Sequence, residues 1–165
     1  MFDLINGLPI HPLVVHFVVV LVPLAALGTI AIAVRPRWRR PYGPVVVLFA
    51  ALSALLTPVA TSSGEALEKH VGNPGEHAEL GDQLIWFILP LLVLAVVLVW
   101  MDRRGTPSDR SPSSPTALKV VAALAVVAAV ATSVQVYRVG DSGARAAWGD
   151  RVQSSSSTSG SGDGD

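Results

Sequence analysis

The sequence predicts an all-α fold: a four-helix transmembrane bundle with the N-terminus and C-terminus both extracytoplasmic. Three observations carry that expectation. Of 165 residues, 51% are hydrophobic and only 15% charged, whereas soluble domains carry about 25% charged residues. The apolar residues gather into four blocks, each near the roughly 20 residues that a bilayer core requires. The stretches between the blocks alternate between arginine-rich and acidic.

The first block runs from Pro12 to Val34 and holds one ionisable residue, His16. His11-Pro12 suits a helix start, because proline lacks only an N–H that the first turn leaves unpaired anyway. Ala31-Ile32-Ala33 resembles a signal-peptidase site, but the front of the chain has Asp3 and no Lys or Arg. Signal peptides carry a positive front, so the block reads as a retained span. The second block runs from Pro44 to Gly64, the third from Asp82 to Met101 and the fourth from Ala117 to Val139. Asn73-Pro74 offers a cap and first-turn pair for the third helix. Residues 1–150 therefore read as one four-span domain, with spans at 12–34, 44–64, 82–101 and 117–139. Asp102 to Thr116 is a Pro/Ser-rich linker, and 151–165 reads as a disordered tail with little to bury. No strand pattern and no internal repeat is legible.

Orientation follows from the loops. RPRWRRPYG places Arg35, Arg37, Arg39 and Arg40 after the first block, and Arg103, Arg104 and Arg110 follow the third. The second loop has Lys69 against Glu65, Glu68, Glu76, Glu79 and Asp82. Short basic loops stay in the cytoplasm, which puts the acidic loop and both termini outside. Arg138, Arg145 and Arg151 pull weakly the other way. The expected location is a bacterial inner membrane, and the lipid bilayer is the first partner.

Twelve basic and twelve acidic residues balance, so there is no nucleic-acid footprint. The chain has no cysteine, which excludes disulfides, thiolate metal sites and thiol nucleophiles. No Ser-His-Asp arrangement, phosphate loop or metalloprotease motif is present.

Polar residues cluster toward the outer ends of the spans. Ser53, Thr57, Thr61, Glu65 and Lys69 are spaced four apart and predict one stripe on the second helix. His77, Asp82 and Gln83 open the third helix, and Thr132, Ser133 and Gln135 lie in the fourth. Polar groups in lipid face the bundle interior or water, so an outward-opening pocket lined by Thr57, Thr61, Glu65 and Asp82 is expected. The plain alternative is that the hydroxyls bond their own helix backbones. Pro23, Pro58 and Pro90 fall inside helices, where they free carbonyls and can shape a cavity or merely packing.

The four histidines, His11, His16, His70 and His77, all lie toward that side. Imidazole is a ligand for haem iron, copper and zinc. His16 on the first helix and His77 on the third are expected to face each other as the ligand pair for a b-type haem or a metal ion. His11 is the alternative ligand: a spacing of five is about 140° around a helix, so His11 must bend back from the helix start or only one of the two is a ligand. His70 reads as a solvated loop residue. The competing functions are a structural or assembly subunit without cofactor, and a small-solute or proton-handling protein using Glu65 and Asp82.

GLPIHPLVVHF, from Gly7 to Phe17, resembles the opening HPxxVHF motif of a bacterial family of small four-span membrane proteins of unknown function. Two further segments extend the resemblance over Leu4 to Trp148: GEHAELGD, with His77, and VYRVGDSGARAAW, from Val136 to Trp148. Many members of that family have proline after the HF pair, where this chain has Val18, and its Asp141–Arg145 segment is longer. The resemblance implies the fold and the membrane location. It also implies a redox or membrane-complex partner, because relatives occur with cytochrome-type domains.

Overall fold

The computed structural model describes residues 4–5, 8–72, 75–104 and 115–158, by backbone alone at 4–10, 70–71, 115 and 149–158. Four helices dominate: α1 (Ile10–Val34), α2 (Arg39–Val71), α3 (Glu76–Arg104) and α4 (Pro115–Thr158). All four are long and apolar enough to cross a membrane. A 3-10 turn, Pro36–Trp38, joins α1 to α2.

Two features depart from expectation. A minimal antiparallel ribbon pairs β1 (Leu4–Ile5) with β2 (Leu8–Pro9) ahead of α1. Two-residue strands leave no alternating pattern long enough to read. Helix α4 also runs to Thr158, past the point where composition predicted order to end. Arg145 donates to Asp141 one turn back at 2.8 Å, and such pairs support a helix locally without tertiary burial. The expected cap at Asn73-Pro74, most of the linker (105–114) and the end of the tail (159–165) lie outside the described residues.

Each helix packs on its chain neighbours and α1 packs on α4, so the four close into a ring with α1 diagonal to α3. The core has three levels. At the arginine-rich end sit Ile32, Ala33, Val46, Leu98, Val99 and Ala125. The middle level is built on Ala25, Ala26, Ala50, Leu91 and Ala129. Val18, Val22, Ala60, Leu84 and Ile88 fill the histidine end. Alanines at the centre let the backbones approach, while large residues such as Leu27, Leu55 and Val127 point outward. That inversion suits lipid, where close packing rather than hydrophobic burial drives helix association.

Buried polar groups are tied to backbone. Ser53 donates to Phe49 O at 2.8 Å and Thr57 to Ser53 O at 2.7 Å. Thr132 donates to Ala128 O and to Phe87 O across the α3–α4 contact, and Gln135 Nε2 donates to Leu80 O at 3.0 Å. Thr29 differs: its hydroxyl is fully buried and makes no hydrogen bond among the described residues. A buried hydroxyl without a partner costs about 1–3 kcal/mol. Thr29→Val keeps the shape and removes that cost. Thermal unfolding in detergent is expected to show a variant as stable as the parent or more so, and a clear loss would mean that the hydroxyl has a partner.

Candidate functional site: a cavity between two histidines

The inward face of α1 is set by its core residues, Val18, Val22, Ala25 and Thr29. Stepping back from Val18 by three and then four residues reaches Val15 and His11, which continue that face. His11 is half-buried at the mouth of the bundle. Its Nδ1 lies 2.9 Å from Ala60 O and 3.2 Å from Ser63 Oγ on α2. A carbonyl oxygen only accepts, so Nδ1 carries the proton. Ser63 sends its own hydroxyl hydrogen to Ala60 O at 2.9 Å, which leaves its oxygen free to accept from the ring. In the neutral imidazole the lone pair then sits on Nε2, which makes no hydrogen bond among the described residues. The ring lies against Gly64, where an added Cβ would come 3.0 Å from its Cε1.

His77 repeats this arrangement one helical hairpin later. Its Nδ1 lies 3.1 Å from Val139 O and 3.4 Å from Ser142 Oγ on α4. Ser142 donates to Val139 O at 3.0 Å. A Cβ at Gly143 would meet His77 Cε1 at 2.9 Å. Again the proton is held on Nδ1, and Nε2 makes no hydrogen bond among the described residues.

Both imidazoles line one cavity of about 570 Å³. Val15, Val18, Leu84 and Val136 supply apolar wall, and Thr57 and Thr61 supply hydroxyls. Glu65, Glu68, Glu79 and Asp82 line it as well, placing carboxylates around two potential cation ligands. The volume falls within the range of about 300–1,000 Å³ usual for small-molecule and cofactor sites.

The expected facing of His16 and His77 does not occur. His16 is exposed and its Nδ1 bonds to Pro12 O on its own helix. It shares the outward face of α1 with Leu13, Phe17 and Val20, and it is not among the cavity residues. The 140° that separates it from His11 forces the choice, and the core phase of α1 settles it for His11. The side chain of His70 lies outside the described residues.

The expected polar stripe on α2 also unwinds. Thr57 is buried, Thr61 half-buried and Glu65 exposed, because a strict spacing of four drifts about 40° per step around a helix. The core continues instead through Ala60 and Ser63. Thr61 lines the cavity and also bonds Pro58 O at 3.1 Å. Ser63, Gly64, Ser142 and Gly143 were not singled out as neighbours of the histidines. Their visible signal is the Ser-Gly pair that each of α2 and α4 carries near the histidine end.

Four apolar helices in a ring, with a histidine-flanked cavity at one end, define a small multi-pass membrane protein. The chain belongs to the family described as "Predicted membrane protein (DUF2231)", whose model matches residues 7–156 and so takes in all four helices and both cavity histidines. No curated protein and no solved structure matches it.

Proposed function

We propose that this protein is a cytochrome-like membrane subunit that binds a b-type haem between His11 and His77. The observation that supports this most is the matched pair of imidazoles. Each lines the shared cavity, with Nδ1 tied to a carbonyl and a serine and Nε2 without a hydrogen bond among the described residues. Tying the distal nitrogen in this way fixes ring orientation and raises ligand basicity. The donor set fits the group. Among the described residues no cluster of three or more His, Cys, Asp or Glu is arranged to hold an ion unaided. Two protein nitrogens suit an iron already ringed by pyrrole nitrogens. The apolar wall of Val15, Val18, Leu84 and Val136 suits the faces of a porphyrin. When bound, the haem would supply one-electron transfer, and the protein's part is to ligate, orient and partly shield it. Titrating hemin into the detergent-purified protein is expected to give saturable, one-to-one binding with a sharpened Soret band. Binding no stronger than that of hemin to empty detergent micelles would refute it.

The histidine end is proposed to face out of the cytoplasm, in the inner membrane of a bacterium, on the strength of the seven arginines at the opposite end. Because the chain has no cysteine, Ser161→Cys and Thr106→Cys each introduce a single thiol. An impermeant maleimide is expected to label the first in intact spheroplasts and the second only after lysis. The reverse pattern would invert the topology.

A further inference from the structure

The two histidine environments match in more than residue type. From His11 to His77 is a step of 66, and the same step carries Val18, Val22, Ala25, Ile32 and Ala33 onto Leu84, Ile88, Leu91, Leu98 and Val99. Every residue in both sets is buried. Between α2 and α4 the step is 79. It carries Val46, Ala50 and Ser53 onto Ala125, Ala129 and Thr132, again buried onto buried. It also carries Ala60, Ser63 and Gly64 onto Val139, Ser142 and Gly143, which are the residues that hold the two rings. The step grows because α3 extends further past its core residues than α1 does, the connection to α4 is longer, and α4 begins earlier relative to its own core than α2 does.

The packing follows the same pairing. Ile32 with Leu98, Ala33 with Val99 and Val46 with Ala125 make up one core level. Ala25 with Leu91 and Ala50 with Ala129 share the next. Val18 with Leu84 and Val22 with Ile88 share the third. Corresponding residues meet at one height on opposite sides of the bundle. This is what a two-fold axis along the bundle requires when it exchanges α1 with α3 and α2 with α4. The axis runs through the cavity.

We infer that the chain is two copies of one helical hairpin around a two-fold axis, with Ser63-Gly64 and Ser142-Gly143 as equivalent positioning pairs for His11 and His77. The inference deepens the reading of that cavity as a ligand site and rests on it for the ligand's nature. A ligand on the axis is met by the same imidazole and glycine from both sides, which favours a group with two like faces. A metalloporphyrin, with two like axial positions, is such a group. A solute with unlike ends is not.

Within each half the glycine leaves room for the ring and the serine accepts from Nδ1–H. Gly64→Ala therefore has to move His11, and Gly143→Ala has to move His77, because the added methyl carbons would stand 3.0 and 2.9 Å from the ring carbons. The test is histidine-selective ¹⁵N NMR of the detergent-purified protein without haem, followed by hemin titration. In the parent both rings are expected to carry a proton on Nδ1, with signals assigned by His11→Ala and His77→Ala. Gly64→Ala should shift the His11 signal alone and Gly143→Ala the His77 signal alone. Each should weaken hemin binding by a similar factor of about 10–100, as changes behind a metal ligand do. Ser63→Ala and Ser142→Ala, which add no bulk, should shift the same two signals if a glycine variant fails to fold. If the ring signals respond as stated but hemin does not bind, the paired positioning stands and the haem reading falls. If hemin binds and only one half responds, or neither does, the equivalence of the halves is overturned.

Discussion

His11→Ala and His77→Ala are each expected to abolish the haem absorption of the purified protein, and His16→Ala to leave it unchanged. The contrast follows from direction. His11 and His77 line the same cavity, while His16 lies on the outward face beside Leu13 and Phe17. In the proposed site, losing either imidazole would remove a metal bond rather than tune one. The loss should exceed the roughly 10–100-fold cost of changes behind a ligand. The fold should survive, because each ring makes its hydrogen bonds at the mouth of the bundle, and such bonds contribute only about 1 kcal/mol net. Spectra of the three variants at matched protein concentration decide the matter. Full retention in either cavity variant, or loss in His16→Ala, would remove the assignment.

The largest effect on stability is expected at the opposite end, from Arg39→Met. Arg39 is 4% exposed. Its Nε donates to Ile32 O at 2.9 Å and its Nη2 to Ala33 O at 3.1 Å. These carbonyls belong to the last turn of α1, which has no later helical N–H groups to pair them. Nη1 reaches Asp102 Oδ1 at 3.4 Å, so one guanidinium links the end of α1, the start of α2 and the end of α3. Breaking such a pair strands the partner charge and costs on the order of 3 kcal/mol. Arg40, 3.8 Å from Asp102 and mostly exposed, offers only partial replacement. A marked fall in melting temperature in detergent is expected for Arg39→Met, with part of it recovered when Asp102→Leu is added. A melting curve unchanged by Arg39→Met would show that the cluster is incidental.

The spans were legible because each is a long apolar run, and membrane insertion depends on little else. Their ends were not, since the helices continue as helices beyond the apolar part: α2 runs on to Val71 and α4 to Thr158. The cavity's inventory was also legible. Thr57, Thr61, Glu65, Asp82, His11 and His77 all line it, and polar residues near one end of four spans have few other places to go. The facing of the histidines was not. Around His11 and His16 the chain is apolar in every direction, with Val14, Val15, Val18, Val19 and Val20. No periodic contrast marks which side is inward, and depth alone favoured His16, which the structure places on the outward face. Arginines at one end and carboxylates at the other were plain, yet the burial of Arg39 depends on the packing of three helices. The internal two-fold escaped the sequence for a similar reason. Its equivalent positions share size and burial, as Val22 and Ile88 do, rather than identity, and the change of step between α2 and α4 hides the register.

The reading of His11 and His77 as a ligand pair is tested most directly by electron paramagnetic resonance of the oxidised, hemin-loaded protein. Two imidazoles on one iron give a low-spin ferric signal, and the account predicts that signal in the parent, in His16→Ala and in no variant lacking His11 or His77. A high-spin signal in the parent, or a low-spin signal that survives the loss of either cavity histidine, would contradict it.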